Sequence, residues 1–100
     1  MIIDISKQEL ALLYTKAKEK YNNCINNEDN AFLEEEVPVP FNTIELKEFD
    51  IKIVFSQEDT ETYVLEIAIG LWDRSNQFIG KYVFIEDDRG NAVDDSLVFF

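Results

Sequence analysis

The chain has 100 residues, 46% of them hydrophobic and 13% aromatic, which is enough for one hydrophobic core and leaves no room for a second domain. We therefore expect residues 1–100 to form a single domain. The net charge is −12, and sixteen acids against five bases fall in residues 31–100, so the electrostatic field repels nucleic acid and anionic lipid and attracts basic proteins.

A helix is predicted near the N-terminus. Ser6-Lys7-Gln8-Glu9 matches a capping box, in which the serine hydroxyl and the glutamate carboxylate satisfy the first free amides of a helix. The Asn-rich stretch 22–27 is expected to end it, which gives a helix over about 7–22. The hydrophobic residues in between recur at helical spacing and form one apolar face: Leu10, Leu13, Tyr14, Ala17 and Tyr21.

The segment 26–42 is predicted to be a connecting loop. It contains three consecutive acids, 34–36, followed by Val37-Pro38-Val39-Pro40, whose prolines exclude helix and central strand. A loop of this length inside a compact domain is often functional.

The remaining residues, 43–100, alternate as strands do. A hairpin whose turn spans 56–62 pairs 55 with 63, 53 with 65, 51 with 67 and 49 with 69, so that the hydrophobic residues of both strands coincide on one side. Turns at 73–77 and 87–91 lead into two further strands. The sequence thus predicts an α+β fold of two layers: an N-terminal helix packed on a four-stranded antiparallel β-meander, on the side of Phe49, Ile51 and Ile53.

The opposite, outer side of this sheet is the predicted binding surface. A turn centred near Ser75 pairs 72 with 78, 70 with 80 and 68 with 82, which gathers Trp72, Phe78, Tyr82 and Phe84 on that side around two glycines. Solvent-facing sheets normally carry fewer rings, so either the 26–42 loop covers them or they anchor a partner inside an acidic rim. The residues expected to bind the partner are Trp72, Asp73, Phe78, Tyr82, Glu86, Asp87, Asp88 and Asp94.

Most enzyme classes are disfavoured by missing residue types. The chain has no His, which excludes imidazole triads and His-containing zinc sites, and none of its glycines opens a helix as a phosphate-binding loop requires. The acids of 86–91 lack the ligand spacing of an EF-hand. A paired-carboxylate glycosidase site stays open, although the neighbours Asp94 and Asp95 point to opposite faces. We expect no catalytic residue, no metal and no cofactor.

The sequence favours a cytoplasmic location. No apolar run approaches the roughly 20 residues of a membrane span, and Met1-Ile2-Ile3-Asp4 does not begin a secretion signal. The single Cys24 permits no internal disulfide, which suits a reducing compartment; it is interpreted as a small, semi-buried hydrophobic residue.

Four segments in the last third of the chain carry a family resemblance: Gly70-Leu71-Trp72-Asp73, Ile79-Gly80-Lys81-Tyr82, Gly90-Asn91 and Asp94-Asp95-Ser96-Leu97-Val98. They resemble the small immunity proteins of bacterial polymorphic-toxin systems, in particular those of contact-dependent growth inhibition (the CdiI type). Chain size, acidity and the helix-plus-sheet layout are similar too. The resemblance implies a cytoplasmic antidote that binds one toxin domain, often a tRNA- or DNA-cleaving nuclease, and it carries over no residue-level role.

This function is physically reasonable. A nuclease active site is basic because it holds phosphates, so an acidic protein can occlude it electrostatically and sterically. Two alternatives share the same acidity and size: a phage-encoded nucleic-acid mimic that inhibits a host nuclease, and a scaffold subunit of a larger complex. The oligomeric state is left open.

Overall fold

The fold is an N-terminal helix on a four-stranded antiparallel sheet, which confirms the predicted α+β class. The computed structural model describes residues 4–37, 39–57 and 62–100; Met1-Ile2-Ile3, Pro38 and positions 58–61 of the first predicted turn lie outside them. The sheet order is β1-β2-β3-β4. The helix and strands are α1 (Lys7–Asn26), β1 (Glu45–Phe55), β2 (Tyr63–Trp72), β3 (Phe78–Asp87) and β4 (Ala92–Phe99).

Helix α1 begins at the predicted capping box and ends later than predicted. The backbone amide of Glu9 donates to Ser6 Oγ at 3.1 Å, and the Ser6 amide donates to Glu9 Oε1 at 3.5 Å. The predicted end near residue 22 is wrong, because Cys24 and Ile25 continue the apolar face and pack against the core. That packing outweighs the propensity of the asparagines, which costs at most about 0.7 kcal/mol per residue relative to alanine. Within the described ranges, no helix is long and apolar enough to cross a membrane.

The core lies between α1 and the central strands. Ala17 and Tyr21 of α1 are buried against inward residues of β2 and β3. The Tyr21 and Tyr82 rings meet edge to face with centroids 5.7 Å apart. Nearer the start of the helix, Lys16 Nζ pairs with the buried Glu86 carboxylate at 2.6 Å. The inward residues of the sheet include Leu65, Ile67, Ile69, Leu71, Tyr82 and Phe84.

The predicted loop 26–42 contains three short helical turns, at Glu28–Asn30, Leu33–Glu36 and, overlapping its end, Phe41–Thr43. After these turns, Val39 and Ile44 pack against the core beside α1. The described part of the segment therefore contributes hydrophobic side chains to the helix side of the sheet.

The first hairpin follows the predicted register except at its far end. Phe55 pairs with Tyr63, Ile53 with Leu65 and Ile51 with Ile67, as expected. The predicted pairing of 49 with 69 is wrong, because Glu48 occupies that position and Phe49 is the extra residue of a β-bulge. A bulge leaves one residue unpaired and shifts the alternation, so the prediction that Phe49 shares a face with Ile51 is also wrong.

The second hairpin departs from prediction after its first pair. Trp72 pairs with Phe78 as expected, but Leu71 then pairs with Gly80, which makes Ile79 the extra residue. Gly70 pairs with Lys81, and Tyr82 pairs with Ile69, so the two strand glycines lie on opposite faces. The bulge turns Tyr82 and Phe84 toward the core, whereas the predicted register leaves both rings on the outer face.

Candidate protein-binding surface

Four aromatic rings gather on the outer face of the sheet, and we call them the outer aromatic cluster: Phe49, Trp72, Phe78 and Phe100. Phe78 is its centre. The Phe78 ring stacks on Trp72 with centroids 5.3 Å apart and planes inclined by 16°, and it meets Phe100 edge-on at 5.1 Å and Phe49 at 5.6 Å. Each such pair contributes about 0.5–1.5 kcal/mol beyond area burial, so the cluster is ordered before a partner arrives.

Backbone irregularities place three of these rings. The bulge in β1 turns Phe49 toward the outer face, and the bulge at Ile79 keeps Phe78 opposite Trp72. The last residue is held in line with the sheet because the Phe100 amide donates to the Ile79 carbonyl at 2.9 Å.

Gly70 makes room for the indole of Trp72. A Cβ atom at position 70 would lie 3.0 Å from Trp72 Nε1, closer than ordinary van der Waals contact. The indole therefore lies back over its own strand, with the Phe78 ring stacked on it and Lys47 Nζ over its ring. This part of the prediction, a ring filling the space above a strand glycine, agrees with the structure at Gly70; at Gly80, on the inner face, the ring is that of Phe99, whose Cδ1 lies 2.9 Å from the position of a Cβ atom.

Two lysines lie against the rings of the cluster. Lys47 Nζ lies 4.7 Å from the centre of the Trp72 ring and Lys81 Nζ lies 4.5 Å from that of Phe49. Lys47 also donates to Asn76 Oδ1 at 3.0 Å. Within the described ranges neither lysine has a carboxylate partner within 4.0 Å, although acids outnumber bases by 21 to 9. Because Glu45 pairs with Trp72 and Asp73 follows Trp72 in the chain, the charge beside the cluster is of both signs and not uniformly acidic as expected.

The predicted binding residues do not form one site. Trp72, Asp73 and Phe78 lie at one end of the sheet, where the Gln77 amide donates to Asp73 Oδ1 at 2.9 Å. Asp87, which pairs with Val64, lies eight β2 residues away, about 26 Å at the usual strand rise.

The other predicted residues are separated from the cluster as well. Asp88 is in the turn that follows Asp87, and Asp94 pairs with Ile85 near that same end. Tyr82 and Glu86 are on the wrong face for the prediction, because the bulge at Ile79 turns both toward α1, where they are buried.

The surroundings of Asp87 and Tyr82 shift the pKa values of both side chains. Amides of Asn91 and Arg89 donate to Asp87 Oδ1 at 2.8 and 2.9 Å, and these bonds hold the pKa of Asp87 below its ordinary value. Burial, and then a hydrogen bond to Asp95 Oδ2 at 2.8 Å, raise the pKa of the Tyr82 hydroxyl. Asp87 therefore closes a turn and Tyr82 braces the core.

The outer aromatic cluster is open to solvent. Phe49 is 47% exposed and Phe100 is 71% exposed, and the hydrophobic residues Val39 and Ile44 pack on the opposite side of the sheet. Of the two interpretations left open by the sequence, coverage by the described part of the 26–42 loop is therefore not what the structure shows. The cluster therefore offers contact area for another molecule.

Among the described residues, no group of three or more His, Cys, Asp or Glu side chains is arranged to hold a metal.

Two members of the cluster, Phe49 and Phe100, were not among the predicted binding residues. The sequence does contain a signal for Phe49. The hydrophobic residues Leu46 and Ile51 are five positions apart, and both pack inward. Strand alternation places residues at an odd separation on one face only if an extra residue lies between them. Strand alternation does not identify Phe100 in the same way. Its place in the cluster depends on contact with the Phe78 ring of another strand.

Comparisons of the chain with protein-family models, with curated protein sequences and with solved structures found no match.

Proposed function

We propose that this chain is an immunity protein that binds a basic toxin domain, a tRNA- or DNA-cleaving nuclease, and neutralises it by occluding access to its substrate-binding site. The observation that carries the proposal is the outer aromatic cluster, which lies exposed on the face opposite α1 in a chain of net charge −12. Aromatic anchors supply most of the energy of protein interfaces. The net charge attracts a basic partner.

The two lysines beside the rings refine the mechanism. A phosphate-binding cleft is basic, and it would be repelled by Lys47 and Lys81. We therefore assign the cluster to an apolar or acidic part of the toxin beside its cleft, so that the bound chain blocks access sterically. Rings flanked by cations suit such a contact, because a carboxylate of the partner can pair with a lysine that has none.

The nucleic-acid mimic is less well supported on this face. Along β1 the charged residues at outward positions are Glu45, Lys47, Asp50 and Lys52, with Lys52 Nζ 4.0 Å from Asp50. This alternation of sign does not reproduce the uniform negative charge of a nucleic-acid backbone.

The proposal is tested by capturing the partner protein and measuring whether this chain inhibits its nuclease activity. The tagged chain, expressed in cells that carry its gene, should retain one basic protein, and the variant Leu12→Ala should retain it equally because Leu12 is exposed on α1, away from the cluster. The captured protein should cleave nucleic acid, and one equivalent of this chain should stop it. A captured protein without nuclease activity, or turnover of nucleic acid by the isolated chain, would overturn the proposal.

A further inference from the structure

A groove opens between the C-terminal half of α1 and residues 34–37 and 39–44. Its volume is 860 Å³, within the range of about 300–1,000 Å³ that is usual for ligand sites. Ile25 of α1, Val39 and Phe41 form apolar walls, and Asn22, Glu34 and Asn42 add polar groups at the same groove. It is a separate concavity on the helix side of the molecule, distinct from the outer aromatic cluster.

The polar groups of the groove are available to a ligand. The side chains of Asn22, Asn26, Glu34 and Asn42 make no hydrogen bond to another described residue. Each of them offers at least one oxygen acceptor. A donor-rich group that enters the groove can therefore bind several acceptors without breaking an internal contact.

The residues that line the groove include one acid and no base. Residues 21–46 contain six acids and no base, and Glu34 lines the groove itself. With no internal cation supplied by this stretch, the groove favours a cationic side chain from outside.

We infer that the groove receives an arginine-bearing segment of the partner protein, and this inference rests on the proposed function. A planar guanidinium carries five donors, which match the acceptors of Glu34, Asn22 and Asn26. Its face can lie on the Phe41 ring, and its methylene stem can pack on Ile25.

The groove adjoins the outer aromatic cluster at the start of β1. Ile44 lines the groove, and the next residue, Glu45, pairs across the sheet with Trp72. One partner can therefore reach both surfaces around this end of the sheet: a basic segment enters the groove while an apolar part covers the rings.

The test uses N-acetyl-arginine methylamide as the probe and its citrulline counterpart, a neutral isostere, as the control. In a two-dimensional amide NMR titration, the arginine probe should shift the signals of Asn22, Ile25, Asn26 and Phe41, and citrulline should shift them far less. Glu34→Gln should weaken probe binding about two- to fivefold, the range of an exposed ion pair. Asp88→Asn, the same charge change at an exposed site in the turn between β3 and β4, should leave binding unchanged.

Two outcomes would overturn the inference. Equal losses for Glu34→Gln and Asp88→Asn would mean that the probe responds only to net charge, and equal shifts with citrulline would mean that charge is not recognised. Failure here is distinguishable from failure of the proposed function, because the latter is measured by inhibition of the captured nuclease, which does not use the probe.

Discussion

Tyr21 and Tyr82 meet ring to ring between α1 and the sheet, but their hydroxyl groups have different surroundings. Tyr82 donates to the Asp95 carboxylate at 2.8 Å. The buried Tyr21 hydroxyl has no hydrogen-bond partner among the described residues. A buried polar group without a partner keeps its desolvation cost, whereas a bond to a charged acceptor offsets it, so the two hydroxyls should contribute to stability with different sign.

The expected result is a contrast between two matched substitutions. Tyr82→Phe should lower the free energy of unfolding by about 1–2 kcal/mol through loss of the bond to Asp95, and Tyr21→Phe should leave it unchanged or raise it. Urea unfolding followed by circular dichroism measures both. Equal destabilisation by the two substitutions would show that the Tyr21 hydroxyl has a partner after all.

Alkaline pH should destabilise the chain through the same two residues. Burial, followed by the nearby Cys24, raises the pKa of Tyr21 from 10.0 to about 12, and the pKa of Tyr82 is raised as well. The unfolded chain therefore loses these protons first. The stabilisation that the two raised pKa values contribute is fully present below pH 10 and is lost as the pH rises toward the pKa values of the folded state. Phenolate absorbance should show a late stage that coincides with loss of circular dichroism; complete ionisation before any unfolding would contradict this.

At the scale of elements, the sequence predicts the existence of each helix and strand better than their limits. The capping box fixes the start of α1, because the residues that form it all lie within one short segment of the chain. Its end depends on Cys24 and Ile25 packing against a core formed by distant strands, and local propensity does not include that contribution.

The same contrast between local signals and distant contacts explains which residues of the candidate site were predicted correctly. Trp72 and Phe78 were predicted correctly as outward-facing because they flank the turn, ahead of any irregularity. Tyr82 and Glu86 follow the bulge at Ile79, and a single extra residue reverses the face of every residue beyond it. The run from Phe78 to Phe84 has apolar residues at both parities, so alternation there does not determine the register.

The contact between α1 and the sheet can be tested with two alanines. Ala17 is 0% exposed beneath the helix, whereas Ala11 is exposed on the same helix. Ala17→Leu should lower the free energy of unfolding by about 1–3 kcal/mol through overpacking, and Ala11→Leu should stay within about 0.5 kcal/mol. Thermal or urea unfolding of both variants gives the comparison; a neutral Ala17→Leu would mean that α1 is not seated closely on β2 and β3.

At the scale of the whole molecule, charge and contact surface are separated. Two lysines lie against the exposed rings, while the base-free stretch 21–46 carries six acids. Long-range attraction and short-range anchoring should therefore be affected by different substitutions.

Association with a basic partner should be fast at low salt and slow markedly as salt is added. The attraction that steers the two proteins together is screened over a Debye length of roughly 8 Å at physiological ionic strength. Stopped-flow or biosensor on-rates from low to high salt measure the effect. An on-rate that does not change with salt would argue against electrostatic steering and in favour of the scaffold alternative.

The central claim, that the outer aromatic cluster binds the partner, is tested most directly by dissociation rates with the captured protein. Trp72→Ala should weaken binding by about 2 kcal/mol or more, chiefly through faster dissociation, as expected of an interface anchor. Phe100→Ala should act in the same direction, and its 71% exposure leaves the fold intact. Leu12→Ala, at 69% exposure on α1, is the matched control and should dissociate like the unmodified chain. Unchanged dissociation of folded Trp72→Ala and Phe100→Ala would contradict the claim.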